Sequence, residues 1–205
     1  FLGTGTAMTA PPISGLKDFD GVFGFHTLEH VEALQSYIEK YTPQQAVVIG
    51  AGFSGVECAD ALVARGMHVT IIERATTILP ACINSPASQF LIKIIEQHKV
   101  RVLTQTSVAA IRGEHGRVTD VVLEDGTSIP AQAVIVATGG RAQNQLAAAL
   151  GLTMHDGRLL VNEFMQTSDP AIFAAGDSCL VPHEVSRELI PNSLWTDAMI
   201  QGMHA

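Results

Sequence analysis

The residues whose types and spacing specify a chemistry are three glycines and one acid. Gly50, Gly52 and Gly55 stand in the run Gly50-Ala51-Gly52-Phe53-Ser54-Gly55, and Glu73 follows 18 residues after the last of them. A G-x-G-x-x-G run can hold a diphosphate. Its first glycine permits a tight turn, its second lets the backbone approach the phosphates with no Cβ in the way, and its third lets the next helix lie close to the preceding strand. The phosphates then rest on N–H groups at the positive end of that helix. An acid about 20 residues further on accepts hydrogen bonds from a ribose 2′-OH and repels a 2′-phosphate, which points to NADH rather than NADPH. Arg74, beside Glu73, works against that preference.

A glycine run alone means little, so the surrounding elements decide. Val47 to Ile49 form a short apolar run suited to a buried strand, Cys58 to Ala64 read as helix, and Gly66 stops that helix. Val69-Thr70-Ile71-Ile72 is a second apolar strand, and it delivers Glu73. The whole is a βαβ unit. A tight turn with no ligand would need the same glycines but would not call for the acid. No G-x-S-x-G spacing surrounds Ser54, so a serine hydrolase is not supported.

Upstream, Leu28, Val31, Leu34 and Ile38 recur at helical spacing from Thr27, a candidate N-cap, to about Tyr41, and Pro43 ends the pattern. The start of this helix, His26-Thr27-Leu28-Glu29-His30, matches the H-x-x-E-H pattern of one class of zinc peptidases. His26 would fall at or before the helix start, and a catalytic zinc needs a third ligand that nothing nearby supplies. The segment is read instead as an exposed helix start in which Glu29 offsets the dipole.

Downstream, Ser85 and Pro86 read as N-cap and first residue of a helix running to about His98-Lys99, and Val100 to Leu103 as a third strand. Val108–Ile111, Val118–Leu123 and a segment near Ile129 are separated by Gly113-Glu114-His115-Gly116 and Asp125-Gly126, which predicts a three-stranded meander. Ala133 to Ala137 is apolar throughout and returns to the buried parallel sheet. Gln143 to Leu150 is helical with Gly151 closing it. Arg158–Val161 and Ile172–Ala174 read as short strands, and a helix begins at Leu194. The fold class is α/β: a Rossmann-like parallel sheet with a three-stranded antiparallel meander.

Composition bounds the partners. With 20 acidic and 12 basic residues and a net charge of -8, the chain would repel a phosphate backbone, so nucleic acid is excluded as a partner. No apolar run has the length of about 20 residues that spans a bilayer, so no membrane partner is expected and the cytoplasm is the expected compartment. Cys58, Cys82 and Cys179 form no C-x-x-C pair and read as reduced thiols. The chain begins at Phe1 in what reads as a strand end and stops inside a helix at Ala205, so a piece of a longer protein is expected.

The order of these parts resembles the flavin-dependent pyridine nucleotide-disulfide oxidoreductases, in particular their NADH oxidase, coenzyme A disulfide reductase, rubredoxin reductase and nitrite reductase branch. Gly3-Thr4-Gly5 is similar to that family's first A-T-G turn, Thr27-Leu28-Glu29 to its R-T-L-E-D helix start, and Gly50 to Glu57 to its G-G-G-Y-x-G-x-E loop. Ala137-Thr138-Gly139-Gly140-Arg141 is similar to its second A-T-G-x-R, and Thr167 to Asp177 to its T-S-x-P-x-I-Y-A-x-G-D. The resemblance implies that Thr138, Gly139 and Gly140 lie at a cofactor and that Asp177 binds the ribityl chain of FAD. It makes Phe53 the aromatic lid of a nicotinamide pocket and places Glu57 near the carboxamide, although helix packing and a solvated charge remain open for the two.

The resemblance also divides the chain into residues 1–20 and 142–205, remnants of a split FAD domain, around an NAD domain at 21–141. The strands near Gly3 and Ile172 would then lack neighbours, so exposed apolar edges are expected to promote self-association and a homodimer is expected. The family's flavin-side glycine motif, its redox cysteines and its dimerisation domain have no counterpart in these 205 residues, so no catalytic acid, base or nucleophile is assigned. Ala142 and Gln143 replace the Pro and Asn that follow the second A-T-G-x-R, which is expected to loosen that turn. Two functions fit: the NADH-binding portion of an enzyme passing hydride to FAD, or an NAD-binding module without turnover.

Overall fold

The computed structural model describes residues 1–183, 185–186, 188–191 and 194–205. In chain order, β1 (Thr6–Met8) and β2 (Val22–Gly24) precede α1 (Leu28–Tyr41), β3 (Gln45–Ile49), α2 (Phe53–Ala64), β4 (His68–Ile72), α3 (Ser85–Glu96) and β5 (Val100–Leu103). Next come β6 (Val108–Glu114), β7 (Arg117–Leu123), β8 (Ser128–Pro130) and β9 (Ala133–Val136). The rest are β10 (Gly140–Ala142), α4 (Gln145–Ala149), β11 (Met154–His155), β12 (Arg158–Leu160), β13 (Cys179–Pro182), β14 (Leu189–Pro191) and α5 (Trp195–His204). None of the described helices is long and apolar enough to cross a membrane.

The chain divides into two compact units, residues 8–139 and residues 1–7 with 140–205. The larger holds a five-stranded sheet in the order β2-β9-β3-β4-β5, every pairing parallel. Side chains alternate across it. Ala46, Val48, Ile71 and Ile135 pack with Leu34 of α1, Cys58 and Leu62 of α2 and Leu91 of α3 on one face. Val47, Ile49, Ile72 and Val134 pack on the other against Ile111, Val121 and Leu123 of the meander. Val47, Val48 and Ile135 are wholly buried, and each such side chain contributes about 1.5–3 kcal/mol of transfer free energy. The meander β6-β7-β8 is as expected, its first turn made by His115 and Gly116 with φ of 51° and 76°, the pair a type I′ hairpin requires.

The compact units divide at 7/8 and 139/140, beside domain borders read from the sequence at 20/21 and 141/142; Ile13, Leu16 and Phe19 pack on the meander-side core and Ser14 exchanges backbone hydrogen bonds with β6. Local expectations are corrected in two places. α3 is capped by Asn84, whose side chain accepts from the Ala87 N–H, so Ser85 is already helical, and the helix ends at Glu96 before His98. In the smaller unit Ile172 to Ala174 makes only isolated bridges, Gln166 to Phe173 and Leu2 to Ala174. The strands there run β11-β12-β13-β14, while β1 and β10 form a two-stranded ladder. Leu159, Ala174, Cys179 and Ala147 make the core of that unit.

Candidate functional site

β3 ends at Ile49, and Gly50 turns the chain with φ of 104°, a region that L side chains avoid. A Cβ on Gly50 would be driven into the Ala137 carbonyl oxygen, and one on Gly55 into the Gly50 carbonyl oxygen. These two glycines are demanded by the protein's own packing. Gly52 is different: its φ of -73° and ψ of -175° suit any residue, and nothing lies within 4 Å of where its Cβ would stand. It keeps space open. α2 has Gly52 as its N-cap, with no side-chain cap and no acid in its first turn, so among the described residues the N–H groups there meet no capping carboxylate or hydroxyl.

The peptide groups of buried Ala51 are held at both ends. Its N–H donates to Oε2 of Glu73 at 2.8 Å, and its carbonyl accepts from the Leu79 N–H at 2.8 Å. Oε1 of Glu73 accepts from the Ala75 N–H at 2.8 Å. Glu73 therefore ties the glycine loop to the segment after β4. A carboxylate has about four acceptor sites, so two hydrogen bonds leave capacity for a ribose hydroxyl. Arg74 is exposed.

Phe53 is 45% exposed at the first position of α2, which removes it from the core. Ser54 lines a recess of about 220 Å³ shared with Phe25, Thr27, Leu28 and Val31 at the start of α1. Glu57 is exposed and lines a second recess, about 450 Å³, between α2 and α3, whose mouth also carries Asp60 and His98. Thr138 backs the loop: its Cα would stand 3.3 Å from a Cβ on Gly50. The Thr138 hydroxyl donates to the Thr9 carbonyl at 3.1 Å, and the Gly139 carbonyl accepts from the Thr9 N–H at 3.2 Å. Thus Gly50, Gly52, Phe53, Ser54, Gly55, Glu57, Glu73, Arg74, Thr138 and Gly139 all belong to the larger unit.

Gly140 and Asp177 belong to the smaller one. Asp177, half-buried, sits in a 3-10 turn, Gly176–Ser178, and its Oδ2 stands 3.5 Å from the Thr6 hydroxyl. That turn is braced by three residues not singled out from sequence. Arg158 donates to the Asp177 carbonyl, buried Gln201 accepts from the Gly176 N–H at 2.8 Å, and Asn144 donates to the Gly157 and Ser178 carbonyls at 2.9 Å each. Asn144 is 6% exposed and also accepts from the Thr4 hydroxyl at 3.3 Å. The expected loosening after Arg141 is therefore offset one residue later. A lone Asn ahead of an alanine-rich helix was the available signal.

Burial pushes the Cys58 thiol up to about 12, and burial raises Cys179 as well, so neither offers a thiolate near neutral pH. Cys82 is exposed. His26 precedes the Thr27 cap, so His26 and His30 do not share a helical face, and Nδ1 of His30 is buried with no hydrogen-bond partner among the described residues.

Comparison with known proteins adds four findings. The family model described as pyridine nucleotide-disulphide oxidoreductase matches residues 1–199. An NADH oxidase of Methanocaldococcus jannaschii is 34% identical over 201 residues, 98% of this chain and 44% of that protein. Among solved structures, an NAD-dependent persulfide reductase from A. fulgidus superposes with a TM-score of 0.91 at 32% identity, covering 98% of this chain and 37% of that one. A water-forming NADH oxidase from Lactobacillus brevis, bound to NADH, gives 0.88 at 25% identity, covering 98% and 44%. The chain spans less than half the length of each of these proteins.

Proposed function

The chain belongs to the pyridine nucleotide-disulphide oxidoreductase family, and on that footing we propose that it is the NADH-binding portion of a flavin-dependent oxidoreductase whose electron acceptor is unidentified. The observation that carries the proposal is the start of α2: an uncapped helix end, a glycine with open space where its Cβ would be, and Glu73 bonded to the loop between them. When bound, NADH supplies a hydride and FAD accepts it. Gly52 and the first turn of α2 would hold the diphosphate and Glu73 the adenosine ribose, and exposed Phe53, with Glu57 one turn on, would lie toward the nicotinamide side. Asp177, fixed by Arg158, Gln201 and Asn144, offers a carboxylate to a ribityl chain, which it fits as a half-buried acceptor on a braced turn. The partners on this reading are NADH, FAD and a second copy of the chain.

The sequence has one glycine loop of this kind, and it is assigned to NADH, so nothing in these residues holds the adenine half of FAD. Titration calorimetry of the 205-residue chain with NADH, NADPH and FAD tests the proposal. NADH should bind about tenfold or more tightly than NADPH, since the Glu73 charge meets a 2′-OH in one and a phosphate in the other. The chain should be colourless and oxidise no NADH. Equal or tighter NADPH binding would overturn the role of Glu73, and a yellow protein with stoichiometric FAD would overturn the division of labour between the cofactors. An NAD-binding module without turnover shares the NADH result, and it is distinguished by the absence of electron transfer in the longer protein.

A further inference from the structure

α3 is amphipathic, with Leu91, Ile92 and Ile95 packed against the core, yet its one wholly buried residue is Ser88. Among the described residues of the larger unit Ser88 is the only buried polar side chain. Its hydroxyl accepts the N–H of Ile78, itself wholly buried, at 3.0 Å. Leu79, next along, has φ of 49°, and its N–H reaches the Ala51 carbonyl. The Ala51 carbonyl and the Gly52 N–H belong to one planar peptide unit and point in opposite directions. Whatever fixes the carbonyl therefore aims the N–H at the mouth of the helix. Nothing in Ala87-Ser88-Gln89 singles this serine out as a motif.

We propose that Ser88 is a positioning residue for the dinucleotide loop, acting through Ile78 and Leu79 on the peptide between Ala51 and Gly52. The inference rests on the reading of that loop as the NADH diphosphate site. Without the hydroxyl, the buried Ile78 N–H loses its partner and the 75–79 segment can shift to recover one. Leu79 then releases the Ala51 carbonyl for part of the time. Only the fraction of molecules with the peptide correctly aimed binds tightly, and the apparent affinity falls by that fraction.

The test compares Ser88→Ala with Ile92→Ala, a change on the same helix that loosens packing against the same core but removes no hydrogen-bond partner of Ile78. Ser88→Ala should weaken NADH binding by about tenfold and shift the Gly52 and Leu79 amide resonances of the nucleotide-free chain. Ile92→Ala should lower Tm and leave the NADH Kd and those two amides unchanged. Ser88→Thr, which keeps the hydroxyl, should recover the affinity. Affinity that follows Tm alike in both alanine variants would overturn the proposal, as would parental binding by Ser88→Ala. If the parent chain does not bind NADH, the proposed function fails. The role of Ser88 is then decided by the amides, and unchanged Gly52 and Leu79 resonances in Ser88→Ala overturn it.

Discussion

Three long helices of the larger unit start in two different ways. α1 opens with Thr27, whose side chain accepts from the His30 N–H at 3.4 Å, and carries Glu29 in its first turn; α3 opens with Asn84, which accepts from the Ala87 N–H at 3.1 Å. α2 opens with Gly52 and has neither device. The macrodipole is the same in kind at all three, so the difference lies in what the protein has left for something else to neutralise. The acid that could have served α2, Glu73, is instead bonded to Ala51, one residue before the Gly52 N-cap. A helix start that is self-satisfied needs no anion. On the proposed reading, one that is uncapped and fronted by open space receives one.

This contrast breaks most sharply at the two glycines of the α2 turn. Gly55→Ala should have the largest effect, because the new methyl meets the Gly50 carbonyl inside a packed turn. A loss of about 3 kcal/mol in denaturant unfolding is expected, with NADH binding lost alongside. A variant as stable as the parent would show that helix and strand are not in close contact. Gly52→Ala comes next and separates the two properties. Its methyl points into open space, so circular dichroism and Tm should change little, whereas the loss of one phosphate hydrogen bond should cost about 2 kcal/mol of affinity, roughly thirtyfold in NADH Kd. Parental affinity in a folded Gly52→Ala would reduce the loop to a turn.

The same contrast explains what the sequence disclosed. The β3-α2-β4 unit, the meander and the return of β9 to the sheet were legible because each rests on local rules: an apolar run, a glycine at positive φ, an Asp-Gly or His-Gly turn. The misses depend on contacts between distant residues. β2 is three residues ending in glycine, and only its ladder with β9 makes it a strand. Ile13, Leu16 and Phe19 look like connector and belong to a core whose members run from Val47 to Val134. Of the site, the glycines and Glu73 were visible as residues, but the bonds from Glu73 to Ala51 and from Ser88 to Ile78 were not. A hydrogen bond between side chain and backbone across 10 or 22 positions has no periodicity to reveal it.

The smallest expected effect lies at the satisfied helix start and serves as the control. The Thr27 hydroxyl, beside the Glu29 carboxylate, is the main reason that Glu29 titrates below the usual carboxylate range, with the Glu29 backbone N–H adding to it. A carboxylate with a depressed folded pKa contributes stability that is present above its unfolded pKa and is lost as pH falls through the folded value. Thr27→Ala removes both the cap and this contact. The cap bond is long and exposed, so a loss of about 0.5 kcal/mol is expected at neutral pH. Glu29 should then titrate higher, nearer the ordinary range, and its contribution to the acid-side loss of stability should shrink. Side-chain carboxyl NMR titration of parent and variant measures this directly, and an unchanged Glu29 curve would remove Thr27 as its cause. NADH affinity should not change in this variant, because α1 neutralises its own end. If Thr27→Ala weakens NADH binding as Gly52→Ala is expected to, the recess shared by Thr27 and Ser54 takes part in holding the nucleotide, and the two helix starts are not independent.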